Sequence, residues 1–462
     1  RGGRRPRVIA PPLAHGLVGR EDLPLPDWLF GWAAAVVLVV SFVALAALWP
    51  RPRLEGDAFR PLPAALGRAA THPALEVLCG AIGVALLVLV VWSGLLGTQG
   101  ATANFAPTFV YVVFWLGFVP ASVLLGDVFR AFNPWRAIGR VAGGLSRGAT
   151  PEPMPYPERL GRWPAAVGLL AFAWLELASP QGDRPGRVAL AALLYTIVTL
   201  VGMTLYGTRA WIDRAEAFSV YFGLLARLSP LERRGRTLGW RPPLSGLTGL
   251  DPAPGTVAVL AVMVGTVSFD GLTGGELFGA LAADVVGALR DAGLGPAQAL
   301  ELTYGVAMLL VVALVLGLYR LGVAGASRAA GGPAASRLLG AFAHTLVPIA
   351  LAYVAAHYVS LLLLQGQAVA ALASDPLGEG RDLLGTADWT VDYGLLGAST
   401  FWYLQVGFVV AGHVAALVLA HDRALVLYGD GRRAARSQVP LLATMVAFTT
   451  LALWLLSEAA QG

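Results

Sequence analysis

Long apolar stretches alternate with short polar stretches along the whole chain. A helix that crosses a bilayer needs about 20 predominantly apolar residues, and about ten stretches approach that length. They lie near residues 28–48, 74–96, 106–125, 163–178, 188–206, 256–272, 302–321 and 439–456, with a further pair inside 338–421. The pattern predicts an all-α fold, a polytopic transmembrane helix bundle of about ten spans.

Arginine is concentrated in every second loop. The basic loops lie within residues 51–68, 130–162, 209–241, 320–337 and 423–436. The alternate loops are mostly neutral or acidic. The loop between the two spans inside 338–421 carries Asp375, Glu379, Asp382, Asp388 and Asp392. Because cytoplasmic loops carry the excess of Lys and Arg, we expect a multi-pass membrane protein with both termini outside.

The composition agrees with a protein that is surrounded by lipid. Hydrophobic residues make up 56% of the chain and charged residues 13%, and the mean hydropathy is +0.67. A soluble domain carries about 25% charged residues. The net charge of +5 comes mostly from loop arginines, which suit lipid headgroups. We expect the lipid bilayer as the main partner, together with a membrane or periplasmic subunit, and no nucleic acid.

The N-terminal residues differ from the rest of the chain. Residues 1–14 begin with Arg and contain several basic residues but no long apolar segment. We interpret them as a leader remnant or a disordered tail, and residues 15–462 as one transmembrane domain. The single cysteine, Cys79, excludes a disulfide framework and a cysteine-based zinc or iron–sulfur site.

Two arginine-rich loops contain amphipathic segments. Residues 126–140 and 211–236 combine aromatic residues with arginines, a pattern typical of helices that lie in the membrane interface. The chain has no P-loop, no dinucleotide-binding glycine motif, no HExxH and no GxSxG with triad partners. Whether the protein is an enzyme is therefore left open.

Four of the six histidines lie in or beside the pair of spans within 338–421. His344 and His413 are predicted at similar depth on facing helices, and form an inner layer. They would either hold one b-type haem or hydrogen-bond across the helix interface. His344 and His357 are separated by 13 residues, a rotation of roughly 220°, so they do not share a face. His421 is expected at the cytoplasmic rim.

A second, outer layer is predicted around His357. Tyr353 shares its helix face, and Gln405 and Glu176 are expected at similar depth. Polar groups at that depth are costly and favour a functional cavity. The layer would form a metal, proton or substrate site that opens to the outside, with Asp270 at the end of the sixth predicted span as a further contributor. If the site holds copper or zinc, His357, His15 and Asp392 are the candidate ligands.

Five segments together resemble a family of multi-pass membrane proteins of high-GC bacteria, some members of which carry the label fenitrothion hydrolase. They are AHGLVGREDLPLPDWLFGWAAAVVLVVSF, GDVFRAFNPWRAIGR, LVPIALAYVAAHYVSLLLLQGQ, SDPLGEGRDLLGTAD and DYGLLGASTFWYLQVGFVVAGHVAALVLAHDRAL. The resemblance covers most of the chain from Ala14 onward and implies the same membrane architecture.

The sequence favours a transport or permease-like protein with an outward-facing polar cavity. Its basis is the set of polar groups at matched depth beside a helix that Pro348 interrupts. One alternative is a redox subunit that binds haem b or copper through its histidines. Another is a membrane-bound hydrolase, which only the resemblance implies.

Overall fold

The computed structural model describes the backbone of residues 27–146 and 152–459 and the side chains of residues 31–144 and 152–454. The helices begin with α1 (Asp27–Leu48), α2 (Ala64–Ala70), α3 (Pro73–Leu96), α4 (Phe105–Thr108), α5 (Phe118–Leu125), α6 (Phe129–Phe132), α7 (Pro134–Ser146), α8 (Trp163–Leu177), α9 (Pro185–Tyr206) and α10 (Thr208–Arg214). They continue with α11 (Ala217–Ala226), α12 (Ser245–Thr248), α13 (Thr256–Thr273), α14 (Glu276–Asp291), α15 (Pro296–Ala330), α16 (Ala335–Ala341), α17 (Leu346–Gln365), α18 (Val369–Ser374), α19 (Ala398–Tyr428) and α20 (Gly431–Ala459).

A small antiparallel sheet joins two loops at one end of the bundle. Its strands are β1 (Arg60–Pro61), β2 (Leu231–Arg234) and β3 (Thr237–Trp240), in the order β1-β3-β2. The β2–β3 hairpin turns at Gly235, whose φ of 60° suits a residue without a Cβ. The sheet ties the segment after α1 to the segment after α11.

The predicted all-α polytopic bundle is confirmed. Among the described residues, nine helical segments are long and apolar enough to cross a membrane. They are Gly31–Leu48, Ala64–Leu96, Phe105–Leu125, Pro185–Tyr206, Thr256–Thr273, Pro296–Ala330, Ala343–Ser374, Ala398–Tyr428 and Gly431–Trp454. The remaining predicted span, near 163–178, is α8, which has 15 residues and is shorter than the roughly 20 that a typical span needs.

Helix α8 nevertheless connects opposite ends of the bundle. At its start, the Arg162 amide donates to the carbonyl of Pro254, just before α13. Beyond its end, α9 starts beside the C-terminal end of α3, where the Gly186 amide donates to Gln99 Oε1 at 3.1 Å. In the described part of the chain, nine apolar spans and the shorter α8 therefore run in alternating directions, and α1 begins at the same end of the bundle where α20 finishes.

The two arginine-rich amphipathic segments are folded into the bundle more deeply than the sequence predicts. Phe129 and Trp135 are buried, and eight of the ten α11 residues are buried. Helices α6 and α7 pack on α3, and α11 packs on α5 and α8. The aromatic residues that the sequence assigns to a lipid interface pack instead against other helices.

Helices α13 and α17 form the centre of the bundle. They lie in the two most enclosed spans, in which 78% and 72% of the window residues are buried. Helix α19 packs closely on α17: a Cβ built on Gly412 would lie 2.3 Å from the Ala352 Cβ and 2.7 Å from the Pro348 carbonyl oxygen. Glycine at this position allows the two backbones to approach each other.

The third span is not a continuous α-helix. Between α4 and α5, residues Phe109–Phe114 form a π-helical segment. The amides of Trp115 and Gly117 donate to the carbonyls five residues earlier, at 3.1 and 3.0 Å. Such segments are rare and are frequently found at functional sites. Here Tyr111 of the segment and Trp115, the residue after it, both pack against Phe172 of α8.

Candidate functional site

A buried carboxylate, imidazole and phenol meet where α13 packs on α17. Asp270 lies near the end of α13, and His357 and Tyr358 are consecutive residues of α17. His357 Nε2 lies 2.9 Å from Asp270 Oδ2, and the Tyr358 hydroxyl donates to the same oxygen at 2.6 Å. The exposed fractions of the three residues are 8%, 5% and 2%. A cluster of titratable groups therefore occupies the interior of the bundle.

Glu176 supplies a second carboxylate beside this cluster. It lies one residue before the end of α8, and α8 packs on α13. Its side chain interacts electrostatically with Asp270, and its Oε2 atom has no hydrogen-bond partner among the described residues. Two ionised carboxylates this close in a low-dielectric interior would repel each other. A shared proton or a cation would relieve that repulsion.

A small cavity of about 20 Å³ adjoins the imidazole of His357. Its lining includes Ser268 and Gly271 of α13, Tyr353 and His357 of α17, and Val409 of α19. A single water needs about 10–15 Å³ by this kind of measure. The cavity therefore has room for one water beside the polar side chains of Ser268, Tyr353 and His357.

The predicted outer layer is brought together in part. Tyr353 and His357 line the same cavity, and Glu176 joins them through Asp270. The Tyr353 hydroxyl donates to the Phe448 carbonyl at 2.9 Å. Gln405 is buried on α19, one turn before the cavity residue Val409, but it is not among the lining residues.

The predicted metal ligands do not converge in the described part of the chain. Asp392 lies in the loop before α19, where its amide and carbonyl bond to Gln367, ten residues beyond His357. His15 lies outside the described residues. In the ranges with described side chains, no group of three or more His, Cys, Asp or Glu residues is placed to hold a metal ion. The copper or zinc site remains a prediction.

His344 and His413 are both buried but lie in different surroundings. The ring of His413 is 6.2 Å from that of Tyr353, nine residues beyond His344, a rise of roughly 13 Å along the helix. The close contact at Gly412 leaves no gap between α17 and α19 at this level. His413 Nδ1 donates to the Val409 carbonyl at 2.8 Å. The arrangement does not fit a haem ligated by both histidines.

His421 is not the solvated rim residue that the sequence suggests. It is 2% exposed, and its Nε2 lies 3.0 Å from the Trp49 carbonyl. The next residue, Asp422, is fully buried and accepts hydrogen bonds from the Trp49 indole and from the amides of Arg53 and Leu54. These residues attach the chain after α1 to α19, which is a structural role.

A further buried carboxylate, Glu216, lies at the break between α10 and α11. One of its oxygens accepts from the Tyr195 hydroxyl and the Phe218 amide, and the other accepts from Asn133 Nδ2 and the Ser219 amide. All four donors satisfy the carboxylate, so it caps α11 and holds α7, α9 and α11 together. Sequence reasoning missed this residue because its partners are distant in the chain.

One aromatic layer packs against the Tyr358 side of the titratable cluster. The ring of Trp115 packs edge-on against Tyr358 with centroids 4.9 Å apart, and against Phe172 of α8 at 5.4 Å. Phe172 in turn contacts Tyr111 and Phe218. The π-helical segment therefore provides one wall of the cluster. Sequence reasoning also missed Tyr358. Its position next to His357 in the chain is the signal that could have identified it.

The chain was compared with protein-family models, curated proteins and solved structures, and none of them matches it.

Proposed function

We propose that the protein is a membrane transporter that couples movement of a solute to protons, with Asp270 as the proton-binding residue. The observation that carries the proposal is the buried Asp270–His357–Tyr358 cluster at the junction of the two central helices. Ionisable groups inside membrane spans are expensive and are typically part of ion pathways and proton relays. A purely structural contact between α13 and α17 would not need an acidic and an imidazole group together.

The cluster has the chemical components of a proton relay. Asp270 accepts from two different donors, one of which, His357, also faces the cavity. Imidazole releases a proton from one ring nitrogen while the other accepts one. A water in the cavity would connect His357 to Ser268 and Tyr353. Glu176 offers a second carboxylate on the α8 side.

The third span is irregular beside the cluster, which supports a transporter over a rigid scaffold. The π-helical segment adjoins Tyr358 through Trp115. The start of α17 is also irregular: the 3₁₀ turn Ala343–Thr345 precedes the helix, and Pro348, nine residues before His357, lies in its first turn. Transport sites are often built where helices are interrupted near the middle of the membrane. These interruptions give the central helices places at which to bend.

The orientation that we propose follows the loop charges. The arginine-rich loops would face the cytoplasm of a bacterial inner membrane, which places the starts of α3, α8, α13 and α17 on the inside. Asp270 and His357 then lie toward the outer halves of their spans. The polar cavity would open outward in one state of the transport cycle. A partner subunit is not needed by this scheme.

The test is a pH jump applied to the protein reconstituted in vesicles on a solid-supported membrane. Wild-type protein is expected to give a transient charge displacement as protons bind inside the bundle, without any added solute. Asp270→Asn should abolish the transient, because the amide cannot take up the proton. The matched control is Asp284→Asn, at an exposed position of α14, which should retain it. An unchanged transient in Asp270→Asn would overturn the proposal.

A further inference from the structure

A large apolar cleft separates α8 from α9. The cleft has a volume of about 880 Å³, within the roughly 300–1,000 Å³ of ligand sites in proteins. The two helices follow each other in the chain but scarcely touch. Helix α8 packs on α11 and α13, whereas α9 packs on α3. Their facing sides line the cleft, and Phe114 and Phe218 form part of its inner wall.

The mouth of the cleft is continuous with the lipid-facing surface. Its rim includes Trp163, Val167 and Trp174 of α8 and Leu194 and Val198 of α9, all exposed apolar side chains. Within the hydrocarbon core of a bilayer, these side chains contact lipid. An apolar cavity does not hold ordered water. Lipid chains are therefore the medium that reaches the opening.

The distribution of polar groups gives the cleft a direction. Near the start of α9 its lining includes exposed Arg187 and half-buried Glu301. At mid-length the lining includes Glu216, whose oxygens are already bonded to four protein donors. Farther along lie the aromatic side chains of Trp163 and Trp211.

We propose that the cleft binds one acyl chain of a membrane phospholipid, which enters between α8 and α9 with its headgroup at Arg187 and Glu301. Arg187 and Glu301 both line the cleft, and their opposite charges suit a zwitterionic headgroup such as phosphoethanolamine, in which Arg187 would face the phosphate and Glu301 the amine. Helix α8 has 15 residues, a length of roughly 22 Å. This length accommodates an extended acyl chain along the helix.

The bound chain would lie one aromatic layer away from the titratable cluster. The wall residue Phe114 is adjacent in sequence to Trp115, whose ring contacts Tyr358. Phe172 lines the cleft and also packs on Trp115. The inference does not rest on transport activity, because lipid binding is measured directly on the protein.

The test uses phosphatidylethanolamine that carries a photoactivatable diazirine on one acyl chain. The purified protein is reconstituted with this lipid, irradiated and analysed by peptide mass spectrometry. A diazirine near the glycerol end should label peptides around residues 175–190. A diazirine at the methyl end of the acyl chain should label peptides nearer Trp163 and Trp211. Ala171→Phe with Ala191→Phe fills the cleft and should reduce both labels to the level found on the lipid-facing side of α15.

The control is Val201→Phe, at an exposed position of α9 that does not line the cleft, and it should leave labelling unchanged. Melting temperatures show whether the variants are folded. Labelling that is uniform over all lipid-facing helices, or that persists in the filled variant, would overturn the proposal. Absence of lipid label together with protein–protein crosslinks at the rim would also overturn it, since a second polypeptide would then occupy the cleft. Equal labelling by phosphatidylglycerol would overturn the headgroup assignment.

Discussion

At the scale of single residues, the protein places its ionisable groups in two kinds of buried environment. Glu216 and Asp422 are saturated with hydrogen bonds from amides and side chains, and each holds segments of the chain together. Glu176, in contrast, has an oxygen without a partner among the described residues and lies near Asp270. Buried polar groups that are not fully satisfied are costly. The difference separates structural carboxylates from candidate functional ones.

Tyr358→Phe tests the contribution of the phenol to the cluster. The substitution removes one of the hydrogen bonds to Asp270 while it keeps the ring against Trp115. We expect a loss of about 1–3 kcal/mol in the free energy of unfolding, the cost of removing a partner from a buried polar group. Thermal unfolding in lipid nanodiscs measures it. Tyr393→Phe, at an exposed loop position, is the control, and equal effects of the two would contradict the assigned role.

At the scale of helices, contacts between backbones decide which side chains meet. Sequence periodicity correctly indicates that Tyr353 and His357 share a face of their helix. The sequence names Asp270 as one of several candidate contributors around His357. It does not select Asp270 over Asp392 or His15 as the partner, because the two residues are 87 positions apart and local patterns carry no information on which helices are neighbours. For the same reason, the sequence places the aromatic side chains around Trp135 and Phe218 in lipid, whereas they are buried against other helices. A lipid-facing and a protein-facing aromatic look alike in sequence.

Gly412→Ala tests the close packing of α17 on α19. The added methyl group would meet the Ala352 side chain and the Pro348 carbonyl, so the helices must move apart. We expect a destabilisation of about 1–3 kcal/mol, as for other overpacked interiors. The charge displacement after a pH jump should also decrease, because His357 and Tyr353 lie on the displaced helix. Gly407→Ala on the same helix, where a Cβ meets nothing within 4 Å, is the control. Similar melting temperatures for both variants would show that the contact is not tight.

At the scale of the whole molecule, the described residues form nine apolar spans and the shorter α8, arranged about the two central helices α13 and α17. Hydropathy predicts this architecture well, since each span is a local property of the sequence. It also predicts the short α8, which length alone would reject. The lipid-sized opening between α8 and α9 was not predictable, because it arises from helices that fail to pack. The short strands β1, β2 and β3 also were not predictable, because strands of two to four residues lack a sequence pattern as strong as the hydropathy of a membrane span.

Cysteine accessibility tests the ten-crossing topology. In a Cys79→Ser background, cysteines replace Asp284 and Glu379 in one set of loops and Arg233 and Asp430 in the other. A membrane-impermeant maleimide added to intact cells should label the first pair only, and permeabilisation should expose the second. Labelling of Asp284→Cys and Arg233→Cys from the same side would contradict the crossing of α13. Labelling of Arg233→Cys and of a further variant, Arg68→Cys, from opposite sides would contradict the crossing of α8, because α3, the third span, α8 and α9 separate these two positions.

The central claim is that Asp270 gains and loses a proton inside the bundle. Infrared difference spectroscopy of the protein in lipid, recorded between alkaline and acidic buffer, measures this directly through the carbonyl band of a protonated carboxylic acid. We predict such a band in wild-type protein and in Asp284→Asn, and its loss in Asp270→Asn. A spectrum in which Asp270→Asn retains the full wild-type band would contradict the account.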